Sequence, residues 1–441
     1  MRTRLALIVL LPVLVTALAA PQALLPSAHA ADAGLVYDVL QVLVENHVDR
    51  PDPAKLLAAA ARGLRDALTR AGVSAQIPDL TATTEADART EFQDRFDRAA
   101  AQAQSRLTDV QLRYAAAVAM AASLDDSHTW FSNPQQWREF VQRSQGNPSF
   151  VGIGILLLTK DGKFYVWRVF SGSPAERAGL QALDRITAVD GQSTQNMASD
   201  DLVSRVRGPE GTQVVITVQR PGQSAAVSAT VTRAPITVPV ETHRMLDNQV
   251  GYLELTGFPT GTAGRVRSAL EDLRGRGMRG LVLDLRRNPG GSLNEVVDVA
   301  NLLLPPNLTI FTLTTRQGSV QGITSGTPLI DPSLPIVALT DEGTASGGEL
   351  LSSALQEHGR AQVVGTQTAG ALLVGRLFSL PDGSGMSVTI AKIVTGKGAT
   401  LEKNGARPDV EVPLTAADLD RGADTQLQRA LQVLLSRAAG R

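Results

Sequence analysis

Cysteine is absent from the 441-residue chain. Its absence excludes disulfides, thiol catalysis, cysteine-ligated metals and a lipid-modified N-terminal cysteine. No charge of one sign dominates. The formal net charge is −1, so the basic excess usual in nucleic-acid binders is missing. Lysine is scarce, standing only at 55, 160, 163, 392, 397 and 403. The five histidines stand singly, at 29, 47, 128, 243 and 358, so the sequence spells out no metal cluster and implies no cofactor. Beyond the N-terminus no segment approaches the ~18 consecutive apolar residues of a membrane span.

Hydrophobic residues make up 43% of the chain, which allows a sizeable core and argues against global disorder. The length suits two or three domains. Arg2 and Arg4 precede an apolar run over residues 5–20, and Ala28-His29-Ala30 follows as a small-residue cleavage site. This is a secretory signal layout, with residues 1–30 removed and a periplasmic or extracellular product. The run is short and is interrupted by Pro12, with Pro21 just after it, which disfavours a membrane anchor. A core of the expected size needs no disulfides outside the cell.

Residues 31–146 read mostly as helix. "LVYDVLQVLVENHVD" carries Leu35, Val39, Leu40, Leu43 and Val44 at helical spacing. Asp52-Pro53 predicts an N-cap and first helical residue, and Gly72 an end. A further helix is expected over 86–123. From 147 to 236 the pattern changes to short strands and turns, with Asp161-Gly162 joining a hairpin and Ser173-Pro174 opening a short helix. Residues 237–415 alternate buried strand and amphipathic helix: "RGLVLDL", "SLNEVVDVANLLL", "PIVALT", "GELLSSALQEHG", "AQVVG". Such alternation means βαβ units. "GMSVTIAKIVT" adds a strand, and 416–441 closes with a helix.

Three stretches, in order, resemble the C-terminal processing peptidase (tail-specific protease) family. They are "VGIGI…SGSPAERAGLQALDRITAVDGQ…LVSRVRGPEGTQVVITVQR", "LVLDLRRNPGGSLNEVVDVANLLL" and "TDEGTASGGELLSSALQEHGR" followed by "GRAQVVGTQTAG" and "GARPDVEV". The resemblance covers nearly the whole mature chain. It implies a multidomain α/β protein: an N-terminal helical segment, a PDZ-like β domain, and a peptidase core of the crotonase/ClpP-like kind. It also implies polypeptide substrates held by unstructured C-termini, no nucleic-acid partner, and a homodimer through the helical segment.

The resemblance assigns the nucleophile to Ser346 and the oxyanion hole to the backbone of Gly290 and Gly291, with Gly347 as a partner. Acyl transfer needs such N–H donors where the oxyanion develops. The plain alternatives are an N-cap at Ser346, with Thr344 competing for that role, and an ordinary βα turn at Gly290-Gly291. A PDZ-type module captures a C-terminal carboxylate with backbone N–H groups, here at Val151, Gly152, Ile153 and Gly154. The family has glycine where Leu183 stands, which predicts an altered turn.

The family's base is a lysine 25 residues after the serine, and that position is Ala371. Its glutamine four residues later is Gly375. The serine–lysine dyad therefore cannot be carried over. Glu357 and His358 follow Ser346 on one helix, about 16 Å along its axis, and cannot take its proton directly. Glu357 is expected to pair or cap instead. The remaining candidates are His128, in "LDDSHTWF", and the amines of Lys392 or Lys397. Histidine is the commonest general base, and the distantly related tricorn-like proteases carry a similar histidine before the PDZ. Two readings stay open: an exported serine endopeptidase acting through an acyl-enzyme at Ser346, and an inactive homologue that only captures peptides.

Overall fold

The computed structural model describes residues 33–103, 106–144 and 150–439. The expected signal segment, residues 1–30, lies outside them. Helix α1 (Gly34–Asn46) buries Val36, Val39, Leu40 and Leu43. In α2 (Pro53–Arg70) the Asp52 carboxylate accepts from the N–H groups of Ala54 and Lys55, and Pro53 opens the first turn. The stretch expected as one helix over 86–123 is two, α3 (Glu85–Gln102) and α4 (Asp109–Ala122). The restart has a local cause, because Thr108 and Gln111 cap each other reciprocally. These helices share a core that includes Leu40, Leu57, Leu64, Phe92, Phe96 and Leu112. A short strand follows, β1 (Trp130–Ser132), and then α5 (Pro134–Ser144).

The second part comprises β2 (Phe150–Gly152), β3 (Ile155–Lys160), β4 (Lys163–Val169), α6 (Pro174–Arg177), β5 (Arg185–Val189), β6 (Gln192–Ser193), α7 (Ser199–Val206), β7 (Gln213–Gln219), β8 (Val227–Thr232) and β9 (Ala234–Ile236). Its antiparallel sheet runs β3-β4-β5-β7-β8, and β2 pairs separately with β9. The β3–β4 turn has φ 50° at Asp161 and φ 69° at Gly162, as a two-residue hairpin requires. The turn at Leu183 is not lost. The leucine takes φ 69°, the conformation a glycine would take. Its N–H donates to the Val166 carbonyl at 2.7 Å, and buried Asp184 pairs with Arg220 at 2.8 Å. A left-handed non-glycine residue costs about 1–2 kcal/mol. Packing of the leucine against the Leu158, Tyr165, Trp167 and Leu414 cluster offsets it.

The third part comprises β10 (Glu241–Leu246), β11 (Val250–Leu255), α8 (Thr262–Gly275), β12 (Gly280–Asp284), α9 (Leu293–Leu303), β13 (Thr309–Thr315), β14 (Gly318–Ile323), β15 (Ile336–Thr340), α10 (Gly347–Glu357), β16 (Ala361–Gly365), β17 (Leu373–Ser379), β18 (Gly385–Thr395), β19 (Val410–Glu411), α11 (Ala416–Asp420) and α12 (Thr425–Ala439). One sheet runs β10-β11-β12-β15-β16-β19, parallel except at β10. Every residue of β11, β12 and β15 is buried, as a parallel sheet covered on both faces demands. Helices α8, α9 and α10 supply one face, and α12 packs Ala430 and Leu434 on the other.

A second sheet runs β1-β18-β13-β14, with β17 also on β18. The strand read from "GMSVTIAKIVT" belongs here and does not extend the parallel sheet. Strand β1 reaches this sheet from the helical segment, pairing Trp130 with Ser387 and Phe131 with Met386. The N-terminal segment is therefore not helix alone: it contributes a strand to the sheet beside the candidate site.

Candidate active site

Strands β12 and β15 lie side by side and parallel, with Asp284 opposite Leu339. The chain leaves both at their carboxyl ends, where parallel sheets place ligand sites. The loops that follow, residues 285–292 and 341–346, are stitched together. The Asn288 carbonyl accepts from the Ala345 N–H at 2.8 Å, and the Leu285 carbonyl accepts from the Thr344 hydroxyl at 2.8 Å. Asp341 Oδ1 accepts from the Arg287 N–H at 2.7 Å and from the Gly343 N–H at 3.0 Å. Burial pushes the Asp341 carboxyl up. Thr344 is thus spent on holding the loops and is not the cap of α10.

Ser346 occupies the N-cap position of α10 with φ 49° and ψ −116°. An ordinary N-cap sits in the β region. This conformation suits glycine and is costly for serine, a pattern that gathers at functional sites. The Ser346 N–H donates to Glu349 Oε2 at 2.9 Å. Gly290 lies directly against the serine. A Cβ built there would stand 2.5 Å from the Gly347 nitrogen, 2.7 Å from Ser346 Cβ and 3.0 Å from Ser346 Oγ. The space in front of the hydroxyl therefore exists only because residue 290 has no side chain.

The Gly290 N–H itself donates to Asn288 Oδ1 at 2.8 Å. That differs from the role expected of it, since an engaged donor cannot also serve an oxyanion. The N–H groups of Gly291 and Gly347 have no acceptor among the described residues. Gly290 contributes room, and the unengaged N–H groups belong to its chain neighbour Gly291 and to Gly347 on the facing loop.

His128 lies on the approach to β1, partly buried. Its Nδ1 is 2.7 Å from the Ser127 hydroxyl. It lies beside Gly375 of β17, where a Cβ would stand 3.4 Å from His128 Cβ and 2.5 Å from Ser387 Oγ. Burial lowers the pKa of the imidazole, opposed by the nearby carboxylates of Glu402, Asp126 and Glu349. A depressed histidine is neutral at neutral pH, the form a base must have. Among the described residues no hydrogen bond joins His128 to the Ser346 hydroxyl, and such bonds are often long in ligand-free enzymes.

Glu349 and Glu402 tie the serine and histidine surroundings to one segment. Fully buried Glu349 accepts from the N–H groups of Gly370 at 2.8 Å and Ala371 at 2.9 Å, besides that of Ser346. Glu402 accepts from the N–H of Leu372 at 2.9 Å with one oxygen and from that of Ser127 at 3.3 Å with the other. Residues 370–372 thus run between a carboxylate on the Ser346 side and one on the His128 side. Glu349, Ser127 and Glu402 are absent from the sequence-based candidates. The Ser-x-x-Glu spacing of Ser346 and Glu349 is a capping-box signal that could have found the first. Glu402 has no local signal, because its partners are distant in the chain.

The other candidates lie elsewhere. Lys392 Nζ pairs with Asp49 at 2.6 Å on the surface, and the Lys397 side chain is exposed. Glu357 holds the end of β18 through Thr395 and the Lys397 N–H, and His358 Nε2 is 2.9 Å from the Thr309 carbonyl. In the β domain, Val151 and Gly152 pair with Pro235 and Ala234, and Ile153 is buried in the domain core. Gly154 is glycine for an internal reason, since a Cβ there would stand 2.3 Å from Ser173 Cβ. Among the described residues no group of histidine, aspartate and glutamate is arranged to hold a metal.

Beneath the site, Asp284 is buried in a charged knot. It accepts from Arg286 at 2.6 Å and from the Tyr252 hydroxyl at 2.6 Å, with Arg168 of β4 at 3.4 Å. Arg286 also pairs with Asp424, and Arg168 with Glu254. Both guanidiniums lie over the Trp167 ring, at 4.7 and 4.4 Å. Burial would raise the Asp284 carboxyl, but the two guanidiniums and the hydroxyl hold it low. The aspartate of the Asp284–Gly291 motif is therefore part of the scaffold.

Comparison with known proteins agrees with this architecture. Residues 249–412 match the model of peptidase family S41, and residues 166–220 match a PDZ domain. The carboxyl-terminal-processing protease of Synechocystis sp. is 37% identical over 329 residues, covering 73% of this chain and 76% of that one. The carboxy-terminal processing protease CtpA of Bacillus subtilis is 32% identical over 297 residues, covering 67% and 62%. Among solved structures, the photosystem II D1 C-terminal processing protease superposes with a TM-score of 0.54 at 24% identity, covering 92% and 98%. A putative S41 protease from Bacteroides fragilis gives 0.56 at 18%, covering 93% and 99%. With its buried βαβ core, its PDZ domain and relatives matched along most of their length, this chain belongs to the C-terminal processing proteases of serine peptidase family S41.

Proposed function

We propose that the protein is an exported serine endopeptidase that binds polypeptides by unstructured C-terminal tails and cleaves them through an acyl-enzyme at Ser346. The observation that carries the reading is the strained serine set against Gly290, with the N–H groups of Gly291 and Gly347 unengaged and a neutral histidine in the same electrostatic surroundings. Export follows from the signal layout of residues 1–30. Among the described residues no helix is long and apolar enough to cross a membrane.

In this scheme His128 Nε2 takes the hydroxyl proton as Ser346 Oγ attacks the scissile carbonyl. The developing oxyanion sits between the N–H groups of Gly291 and Gly347. Collapse breaks the C–N bond, the leaving amine takes the proton from the imidazolium, and the serine ester remains. Water, deprotonated by the same histidine, then attacks the ester carbonyl; the bond to Ser346 Oγ breaks, Oγ takes the proton back from the imidazolium, and the new C-terminal carboxylate leaves. The scheme takes the tautomer in which His128 Nδ1–H donates to Ser127 Oγ, 2.7 Å away, and Nε2 is free to act. Glu402 stabilises the imidazolium as it forms, the role an acidic residue plays in other serine–histidine sites. The β domain would present the tail, through its edge and the backbone of residues 151–154.

Ala371 is the observation favouring the second reading, peptide capture without cleavage. Labelling with a fluorophosphonate separates the two. The parent labels, and Ser346→Ala and His128→Ala both lose it. Loss in Ser346→Ala alone removes His128 from the mechanism. A parent that never labels leaves only capture.

A further inference from the structure

His47 ends α1, far in sequence from the site, and is only 2% exposed. Its Nδ1 accepts from the Asp49 N–H at 3.2 Å, which leaves the ring proton on Nε2. That nitrogen donates to Asp126 Oδ2 at 2.9 Å. The other oxygen, Asp126 Oδ1, accepts from the N–H of His128 at 2.8 Å, the N–H of Thr129 at 2.7 Å and the Thr389 hydroxyl at 2.7 Å. One carboxylate thus grips the backbone of the candidate base with one oxygen and α1 with the other. Burial alone would push the Asp126 carboxyl up. The bonds from His47, Thr389 and the His128 backbone outweigh it and hold it well below the usual carboxylate range.

The end of α1 is itself anchored. Arg316, in the β13–β14 turn, donates to the carbonyls of Val44 and Glu45 at 2.6 Å and of His47 at 2.7 Å. The Val48 N–H donates to the Thr389 carbonyl at 2.8 Å. Arg376 of β17 reaches Asn46 Oδ1 at 2.6 Å. The last turn of α1 is therefore fixed to two strands, β17 and β18, and to the β13–β14 turn of the sheet that carries Gly375, beside His128.

We infer that His47 is a positioning residue for His128, acting through Asp126. The helical segment then does more than fold: its first helix sets where the imidazole stands. This rests on the assignment of His128 as base. Misplacing a catalytic group by about 1 Å can cost on the order of 100-fold, and no binding contact is changed.

The test measures the rate of fluorophosphonate labelling of Ser346 on the full chain, with melting followed alongside. His47→Leu slows labelling by about 10–100-fold. His47→Gln, which keeps a donor for Asp126, restores most of that loss. His47→Leu also moves the acid limb of the labelling–pH profile, because the displaced imidazole meets a different balance of burial and neighbouring carboxylates, and His47→Gln returns the limb to its place. A merely structural role lowers the rate without moving the limb, and that result overturns the inference. So does an unchanged rate in His47→Leu. If His128→Ala labels like the parent, the assignment of the base falls and takes the inference with it. If His128→Ala loses labelling and His47→Leu does not, only the inference falls. Should His47→Leu not fold, Asp126→Asn replaces it, since its amide turns a donor toward His47 Nε2–H while keeping an acceptor for the loop.

Discussion

Ser346 and Ala371 donate their backbone N–H groups to the same oxygen, Glu349 Oε2, each at 2.9 Å. Ala371, at the position where the family resemblance implies a lysine, is therefore held one carboxylate away from the serine. The backbone of that segment is held in place by Glu349, although both the lysine and the glutamine that the family resemblance implies are replaced, by Ala371 and Gly375. Ala371→Lys, placed in His128→Ala, should recover measurable fluorophosphonate labelling. No recovery, with the double variant folded, would mean that the segment no longer aims its side chain at the hydroxyl.

The pH dependence of labelling should carry the signature of a buried imidazole. Burial sets the pKa of His128 below the ordinary value of 6.5. The base is active when neutral, so the rate stays level through neutrality and falls only as pH drops through that lowered value. Glu402 is the largest of the charges that oppose the shift. Glu402→Gln should move the acid limb to still lower pH and reduce the plateau. The linked effect on stability has the same sign. The unfolded chain binds the proton more readily, so His128 adds stability as pH rises through the window between its two values. An acid limb above 6.5 would contradict the assignment.

Gly290→Ala fills the space before the nucleophile. The added methyl would meet the Gly347 nitrogen at 2.5 Å, and the residue would keep φ 92° against its preference. Loss of oxyanion stabilisation costs about 100–1,000-fold, and labelling should fall by that order while the melting transition persists. A variant labelling within a few fold of the parent would place the oxyanion elsewhere.

Backbone strain at the serine predicts a gain in stability when the serine is lost to glycine. The conformation at φ 49° and ψ −116° costs a non-glycine residue about 1–3 kcal/mol, while glycine forfeits about 0.5–1 kcal/mol of chain entropy. Ser346→Gly should exceed Ser346→Ala by about 1 kcal/mol in urea unfolding. Equal midpoints would mean that the serine stores no strain.

Much of this was readable because it is local. The buried run of β12 and the capped start of α2 follow from a few adjacent residues. So does the room at Gly290, set by the Asn288–Gly291 stretch. What was hidden is what depends on distance in the chain. Strand β1 is three residues long and gains its identity only by pairing with β18, some 255 positions later. Strand β14 is largely exposed and lacks the apolar signature of a core strand. Glu402 reaches Ser127 and Leu372 only after the second sheet is assembled. The missing lysine was evident in the sequence, but the carboxylates that shape the vacated place were not.

The knot around Asp284 has a consequence for how the molecule can be dissected. Arg168 and Trp167 belong to β4, while Glu254, Asp284 and Arg286 belong to the peptidase core, and Asp424 leads into α12. Excising residues 147–236 would strip Arg168 of both its carboxylates and bare the indole. Leaving them out would strand carboxylates and a guanidinium in the remaining core without one of their partners. Separating such partners costs several kcal/mol. The two modules are therefore expected to melt in one cooperative transition, and the PDZ domain is not a detachable accessory but a wall of the house that the peptidase core stands in.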